Sequence, residues 1–224
     1  MKKRTFLVLG LGIFGSTISK ELSKYHQEVI AIDQDMACVE RMSDFVTQAI
    51  CCDFTNIEEL RAIGIEEVDV AVVATGSHLE QSILGIINLK ELGVPYILAK
   101  AKNRKYSEVM LKVGANKVIT PEKEMGIRMA KALLASNILE ITEIDKEYSI
   151  IEIEVPKSWF GATLISLNLR SKLDVNVLGI RKGANGHLSM NPNPNYSFVE
   201  GDRALIVANN QLFENSRALE RLSN

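Results

Sequence analysis

Histidine and cysteine are scarce in this chain, at three residues each in 224. The histidines, His26, His78 and His187, stand far apart, and none has the serine, cysteine or carboxylate spacing of a nucleophilic triad or a metal site. Cys38, Cys51 and Cys52 fit neither a zinc nor a disulfide pattern, and an odd count suits a reducing compartment. Cys51 and Cys52 close an apolar run and read as small buried residues. No apolar stretch reaches the roughly 18 residues needed to span a bilayer, so a soluble protein is expected. The basic start Met1-Lys2-Lys3-Arg4 imitates a secretory signal, but no small-x-small cleavage site follows. Charge of one sign is missing too. The formal net charge is −2, which gives no basic field for nucleic acid and leaves it off the list of expected partners.

What is present is a glycine-rich start. An apolar run ends in Gly10-Leu11-Gly12-Ile13-Phe14-Gly15, a helical pattern follows, and a second apolar run ends in Asp33. Strand, glycine loop, helix, strand and acid form the complete dinucleotide-binding pattern. Gly10 permits the tight turn off the strand. Gly12 has no Cβ to keep a pyrophosphate from the backbone, and Gly15 allows the helix to pack closely. A helix starting near Ile13 aims free N–H groups at phosphates. The Asp33 carboxylate can accept both ribose hydroxyls and would repel a 2′-phosphate. Phe14, Asp53 and the Ala74-Thr75-Gly76 stretch that follows the fourth strand complete this candidate nucleotide site on the ligand edge of the sheet.

Strand and helix patterns alternate to about residue 120. Strands are predicted near 5–10, 28–33, 46–51, 68–74, 96–100 and 116–119, each apolar on both faces, as a covered parallel sheet requires. Helices are predicted near 13–25, 36–42, 57–62, 79–92 and 104–113, with Leu79, Ile83, Ile86 and Ile87 as the buried stripe of the fourth. From Pro121 to Ala135 the pattern is helical again. Glu124, Arg128 and Lys131 form a narrow polar stripe, and apolar residues cover the rest, so this helix is expected to need two partners, its own sheet and a second copy of the chain. Residues 136–147 read as a connector. Short β-like runs at 148–155, 176–181, 187–190 and 203–208 then alternate with helices near 163–173 and 211–222. The expected fold is α/β: a Rossmann-like doubly wound parallel sheet, a crossover helix, and a small α+β domain. The domains are 1–135 and 136–224. The second lacks the acid–base groups a hydride-transfer partner domain needs, which favours a sensor over an enzyme.

These residues resemble the RCK (KTN) proteins, the regulatory subunits of Ktr/Trk-type bacterial potassium uptake systems. GLGIFG, Asp33, VVATGSHLEQS, LAKAKN, VGANKVITPEKEMG and the later YSIIEIEVPKSW and LNLRSKLDVNVLGIRKG carry the resemblance, which covers the whole chain. It implies a non-enzymatic, cytoplasmic gating subunit, held at the inner face of the membrane by a potassium transporter. It implies ATP, ADP or NAD(H) in the glycine loop, Lys100 near the nucleotide, and Glu122 helping to hold a divalent cation between protomers. It further implies a homodimer through the helix after Pro121 and an octameric ring. Ile13 stands where several members carry an arginine that reaches the terminal phosphate, so dinucleotide binding stays open beside ATP and ADP. The second domain resembles the RCK-C type, for which the resemblance implies cyclic di-AMP at a two-fold axis. Arg170 and Lys172 would face phosphates, Asn176 a base edge, and Ile165, Leu169 and Val177 the adenine ring. The competing readings are a small NAD(H)-dependent oxidoreductase and a redox-sensing dinucleotide-binding regulator.

Overall fold

The computed structural model describes residues 3–65, 67–75 and 78–223. They form two compact units, Met1–Lys123 and Glu124–Asn224. The sequence pattern set the domain boundary after the helix that follows Pro121; the division between the two units falls within that helix along the chain.

The first unit holds six parallel strands: β1 (Thr5–Leu9), β2 (Glu28–Asp33), β3 (Gln48–Cys51), β4 (Val70–Val73), β5 (Ile97–Lys100) and β6 (Lys117–Ile119). Their order is β3-β2-β1-β4-β5-β6. The chain therefore builds outward from β1 in one direction and then from β4 in the other. The crevice between the β1 and β4 ends is where a doubly wound sheet binds its ligand. Helices α1 (Ile13–Lys24), α2 (Met36–Glu40), α3 (Ile57–Ile63), α4 (Leu79–Glu91) and α5 (Arg104–Val113) connect the strands. Alternate strand residues feed two apolar layers. Leu7, Leu9, Val73 and Ile97 pack with Ile86 and Leu89 of α4, while Val8, Ala31 and Val72 pack with Phe14 and Ile18 of α1.

Two polar groups fasten loops near the crevice. Asn88, on α4, donates through Nδ2 to the Phe54 and Thr55 carbonyls at 3.1 and 2.9 Å. The buried Ser82 hydroxyl lies 2.9 Å from the His78 carbonyl and 3.1 Å from the Thr75 hydroxyl, tying the end of β4 to the first turn of α4.

The second unit is a five-stranded antiparallel sheet of order β10-β9-β11-β8-β7. Its strands are β7 (Ile138–Glu143), β8 (Tyr148–Glu154), β9 (Val175–Arg181), β10 (Leu188–Met190) and β11 (Arg203–Asn209). Helices α7 (Leu164–Leu167), α8 (Leu169–Leu173) and α9 (Ser216–Ser223) accompany it, and Ile151, Ile153, Ile206, Trp159, Phe198 and Leu222 form its core. Helix α6 (Pro121–Ala132) leads into this unit.

The structure corrects several expectations. Half of the connector at 136–147 is strand β7. A register shift between Ile138 and Glu140 spoils its alternation, leaving only Ile138 and Ile141 buried. The helix expected at 163–173 breaks at Asn168, whose φ of 47° is left-handed, into α7 and α8. Ile87 is exposed, and Leu89 takes its place in the core. Cys51 is exposed because β3 is the sheet edge, whereas Cys52 is buried. Helix α6 is inverted relative to a simple amphipathic helix. Its Lys131 pairs with Glu143 and lies over the Phe213 ring, and Arg128 reaches Glu140 at 4.0 Å, so the charged stripe faces β7. Met125, Ile127 and Met129 of α6 are exposed, as are Leu133 and Leu134 in the turn that follows it.

Candidate functional site

The glycine loop is shaped by three different constraints. Gly10 has φ +92°, a value that favours glycine, and its N–H donates to the Ile32 carbonyl at 2.8 Å. A Cβ there would stand 2.5 Å from Thr75 Cγ2. A Cβ on Gly15 would stand 1.9 Å from the Gly10 carbonyl oxygen, so the first turn of α1 rests directly on the loop. A Cβ on Gly12 would meet nothing within 4 Å. The backbone is thus tightly packed on the protein side and open on the solvent side, which is the cradle a pyrophosphate needs.

Gly12 is the N-cap of α1, no side chain caps its N–H groups, and the first turn has no acid. Those donors and the positive end of the helix dipole face the opening. Asp33, the last residue of β2, fixes the loop through both carboxylate oxygens. Its Oδ2 accepts from the Leu11 N–H at 2.6 Å and its Oδ1 accepts from the Asp35 N–H at 2.9 Å. Each oxygen keeps a lone pair for a ligand hydroxyl while fixing the loop.

A cavity of about 610 Å³ opens beside the loop, lined by Gly12, Ile13, Phe14, Ala74, Lys100, Lys102 and Glu122. Lys100 pairs with Glu122, and its ammonium lies 5.7 Å from the Phe14 ring centroid. The hydrogen bond from Lys100 holds the Glu122 carboxyl below the usual carboxylate range. Ile13 is 91% exposed at the rim. A smaller cavity of about 320 Å³ lies on the other side of Gly12, with Lys20 and Arg41 on its wall.

In the second unit, α7, α8 and the start of β9 enclose a cavity of about 370 Å³. Ile165, Leu169, Arg170, Asn176 and Val177 all line it, together with Asn168. The left-handed Asn168 and Asp174 bend the chain at each end of α8, which brings Leu169 and Asn176 to one opening.

Residues 6–121 match the TrkA-N domain and residues 149–216 the TrkA-C domain. The Ktr system potassium uptake protein A of Bacillus subtilis (strain 168) is 34% identical over 207 residues, covering 92% of each chain. The chain belongs to the TrkA-N/TrkA-C family. The Ktr system potassium uptake protein C of the same organism is 36% identical over 181 residues, 81% of this chain and 82% of that one. Among solved structures, the GsuK channel bound to NAD matches with a TM-score of 0.66 at 14% identity, covering 100% of this chain and 40% of that one, and so shows the RCK-type fold.

Of the residues expected at the nucleotide, the structure gathers Gly12, Ile13, Phe14, Ala74, Lys100 and Glu122 around the TrkA-N cavity. Gly10, Gly15 and Thr75 lie beneath the loop as its packing. Asp33 is not on the cavity wall, and neither is Asp53. The Asp53 Oδ1 accepts from Thr55 N–H and Oγ–H at 2.9 and 2.6 Å and from Gln34 Nε2 at 2.6 Å, and the Thr55 hydroxyl bond keeps its carboxyl below the usual range. Gly76 lies outside the described residues. Lys172 does not line the TrkA-C cavity, because two positions after Arg170 on α8 it projects from another side of the helix. Lys102 is the lining residue that sequence reasoning missed. The alternation in Lys100-Ala101-Lys102, with Ala101 fully buried, was the available signal.

Among the described residues no helix is long and apolar enough to cross a membrane, and no three His, Cys, Asp or Glu side chains converge as a metal site. Glu122 alone would contribute one carboxylate to a cation, with phosphate oxygens supplying the rest.

Proposed function

We propose that this chain is the nucleotide-sensing regulatory subunit of a membrane potassium transporter. The observation that carries the reading is its likeness to Ktr system potassium uptake protein A, which runs through both domains at 34% identity. The TrkA-N site takes ATP, ADP or NAD(H), with the diphosphate on the Gly12 cradle and the ribose on Asp33. The bound nucleotide acts as a signal rather than a reagent. Glu122 helps to hold a divalent cation against the phosphates. Two chains pair through the apolar face of α6, and four such pairs close an octameric ring at the cytoplasmic side of the membrane. Ligand state changes the ring and so the transporter.

Asp33→Ala tests the nucleotide site. Calorimetric affinity for the best adenine nucleotide should fall by about 1–3 kcal/mol, the worth of charge-assisted hydrogen bonds. In vesicles carrying the transporter and this chain, nucleotide-dependent potassium flux should fall in parallel. Unchanged affinity would remove Asp33 from the site, and flux indifferent to the wild-type chain would remove the gating role.

The TrkA-C cavity is proposed as a half-site for cyclic di-AMP. Its support is the mixture of an apolar slot from Ile165, Leu169 and Val177 with the Arg170 guanidinium and the Asn176 amide. Lys172 would act from outside the cavity wall, on phosphate at the rim. In the full chain, Arg170→Ala should weaken cyclic di-AMP binding about tenfold while leaving nucleotide affinity unchanged. No binding by the wild-type chain would end this assignment.

A further inference from the structure

We infer that Lys102 sets how many phosphates the TrkA-N site prefers. The inference rests on the nucleotide reading above and extends it to ligand choice.

Sheet order supplies the direction. Asp33 ends β2, the glycine loop leaves β1, and β4 and β5 follow on the opposite side. Neighbouring strands lie roughly 4.8 Å apart. A ribose on Asp33 and a diphosphate on Gly12 therefore direct the next group in front of β4 and β5. The walls there are Ala74 after β4, Lys100 at the end of β5, Lys102 just beyond it, and Glu122 in the first turn of α6.

Charge then selects what belongs there. Lys100 is compensated by Glu122, and its side chain is only 18% exposed. Lys102 is exposed and forms no ion pair among the described residues. The far wall thus carries one uncompensated ammonium. A third phosphate gains from that ammonium, whereas a neutral nicotinamide ring gains nothing and the oxidised, cationic ring is repelled. The backbone under Lys102 is firmly placed. Ala101 is fully buried, and its N–H donates to the Ile119 carbonyl at 2.8 Å. A flexible lysine on a fixed backbone suits a point-charge contact to one phosphate.

The test is calorimetry of the full chain with ATP, ADP and NAD at low and moderate salt. Wild type should prefer ATP to ADP and to NAD by about tenfold, and the preference should shrink as salt rises. Lys102→Gln should abolish most of that ratio while changing ADP affinity less than about twofold, and Lys102→Arg should retain it. An equal ATP and ADP affinity in wild type, or a Lys102→Gln loss shared equally by ATP and ADP, would overturn the inference and leave the nucleotide site standing. No adenine-nucleotide binding by wild type would overturn both.

Discussion

Gly15→Ala should destabilise the TrkA-N unit by about 3 kcal/mol and lower its Tm by roughly 10 °C. Two effects of opposite sign compete at this position. Gly15 is inside α1, and alanine in a helix interior is worth about 1 kcal/mol over glycine. Against this, the added methyl would lie 1.9 Å from the Gly10 carbonyl oxygen and 3.1 Å from Ala74 Cβ. The first obstacle is backbone, and it cannot swing away as a side-chain tip would. Gly10 is held by its hydrogen bond to Ile32 and by the Thr75 methyl against its Cα, so relief requires moving the loop or the start of α1. Either movement also misaligns the phosphate donors, and nucleotide binding should disappear with the stability. Gly12→Ala is the contrast. It meets nothing within 4 Å, so Tm should change by less than about 2 °C while nucleotide affinity falls, because the methyl occupies the ligand's approach. Thermal unfolding by circular dichroism separates the two variants. A Gly15→Ala protein as stable as wild type would refute the packing argument.

That contrast also explains what the sequence could and could not reveal. The glycine loop was readable because each of its requirements is local: a positive φ at Gly10, a missing Cβ at Gly15, an open backbone at Gly12. The six parallel strands were readable because covered strands are apolar on both faces, and that leaves a plain signature in composition. The roles of Asp33 and Asp53 were only half readable. A carboxylate after a strand announces itself, but its acceptance of the Leu11 N–H, or of Thr55 and Gln34, depends on loops that sequence does not position. Lys102 was passed over because a lysine before a helix looks like ordinary surface, and only the cavity shows what it faces. Strand β7 was hidden by its bulge. For α6 the periodicity was visible, but its direction was not. The inward face is the charged one because Glu140 and Glu143 on β7 offer partners to Arg128 and Lys131, a fact that lies on the neighbouring strand.

The inverted helix and the turn that follows it make the second large prediction. Leu133→Glu combined with Leu134→Glu should convert a dimer of this chain into a monomer at micromolar concentration. Leu133 is 86% exposed and Leu134 54%, and Met125, Ile127 and Met129 extend the apolar surface toward the N-terminus of α6. Full burial of a leucine is worth about 1.5–3 kcal/mol. A two-fold interface uses each leucine twice, and the area still exposed on the four side chains contributes about 4–8 kcal/mol before the costs of association reduce it. Losing even half of that raises Kd by roughly 30-fold to 1,000-fold, and four buried glutamates would add desolvation and mutual repulsion. Because both leucines are exposed within one chain, the substitutions remove little packing inside it, and the far-UV circular dichroism spectrum should keep its shape. Sedimentation velocity reads the outcome directly. A double variant that still sediments as a dimer would place the interface elsewhere, and a monomeric wild type would leave this apolar face without its proposed partner. The charged stripe sharpens the distinction: with Arg128 and Lys131 already committed to Glu140 and Glu143, the stretch from Met125 to Leu134 retains only apolar groups for an outer contact, so dimer stability should depend weakly on salt and steeply on the two leucines.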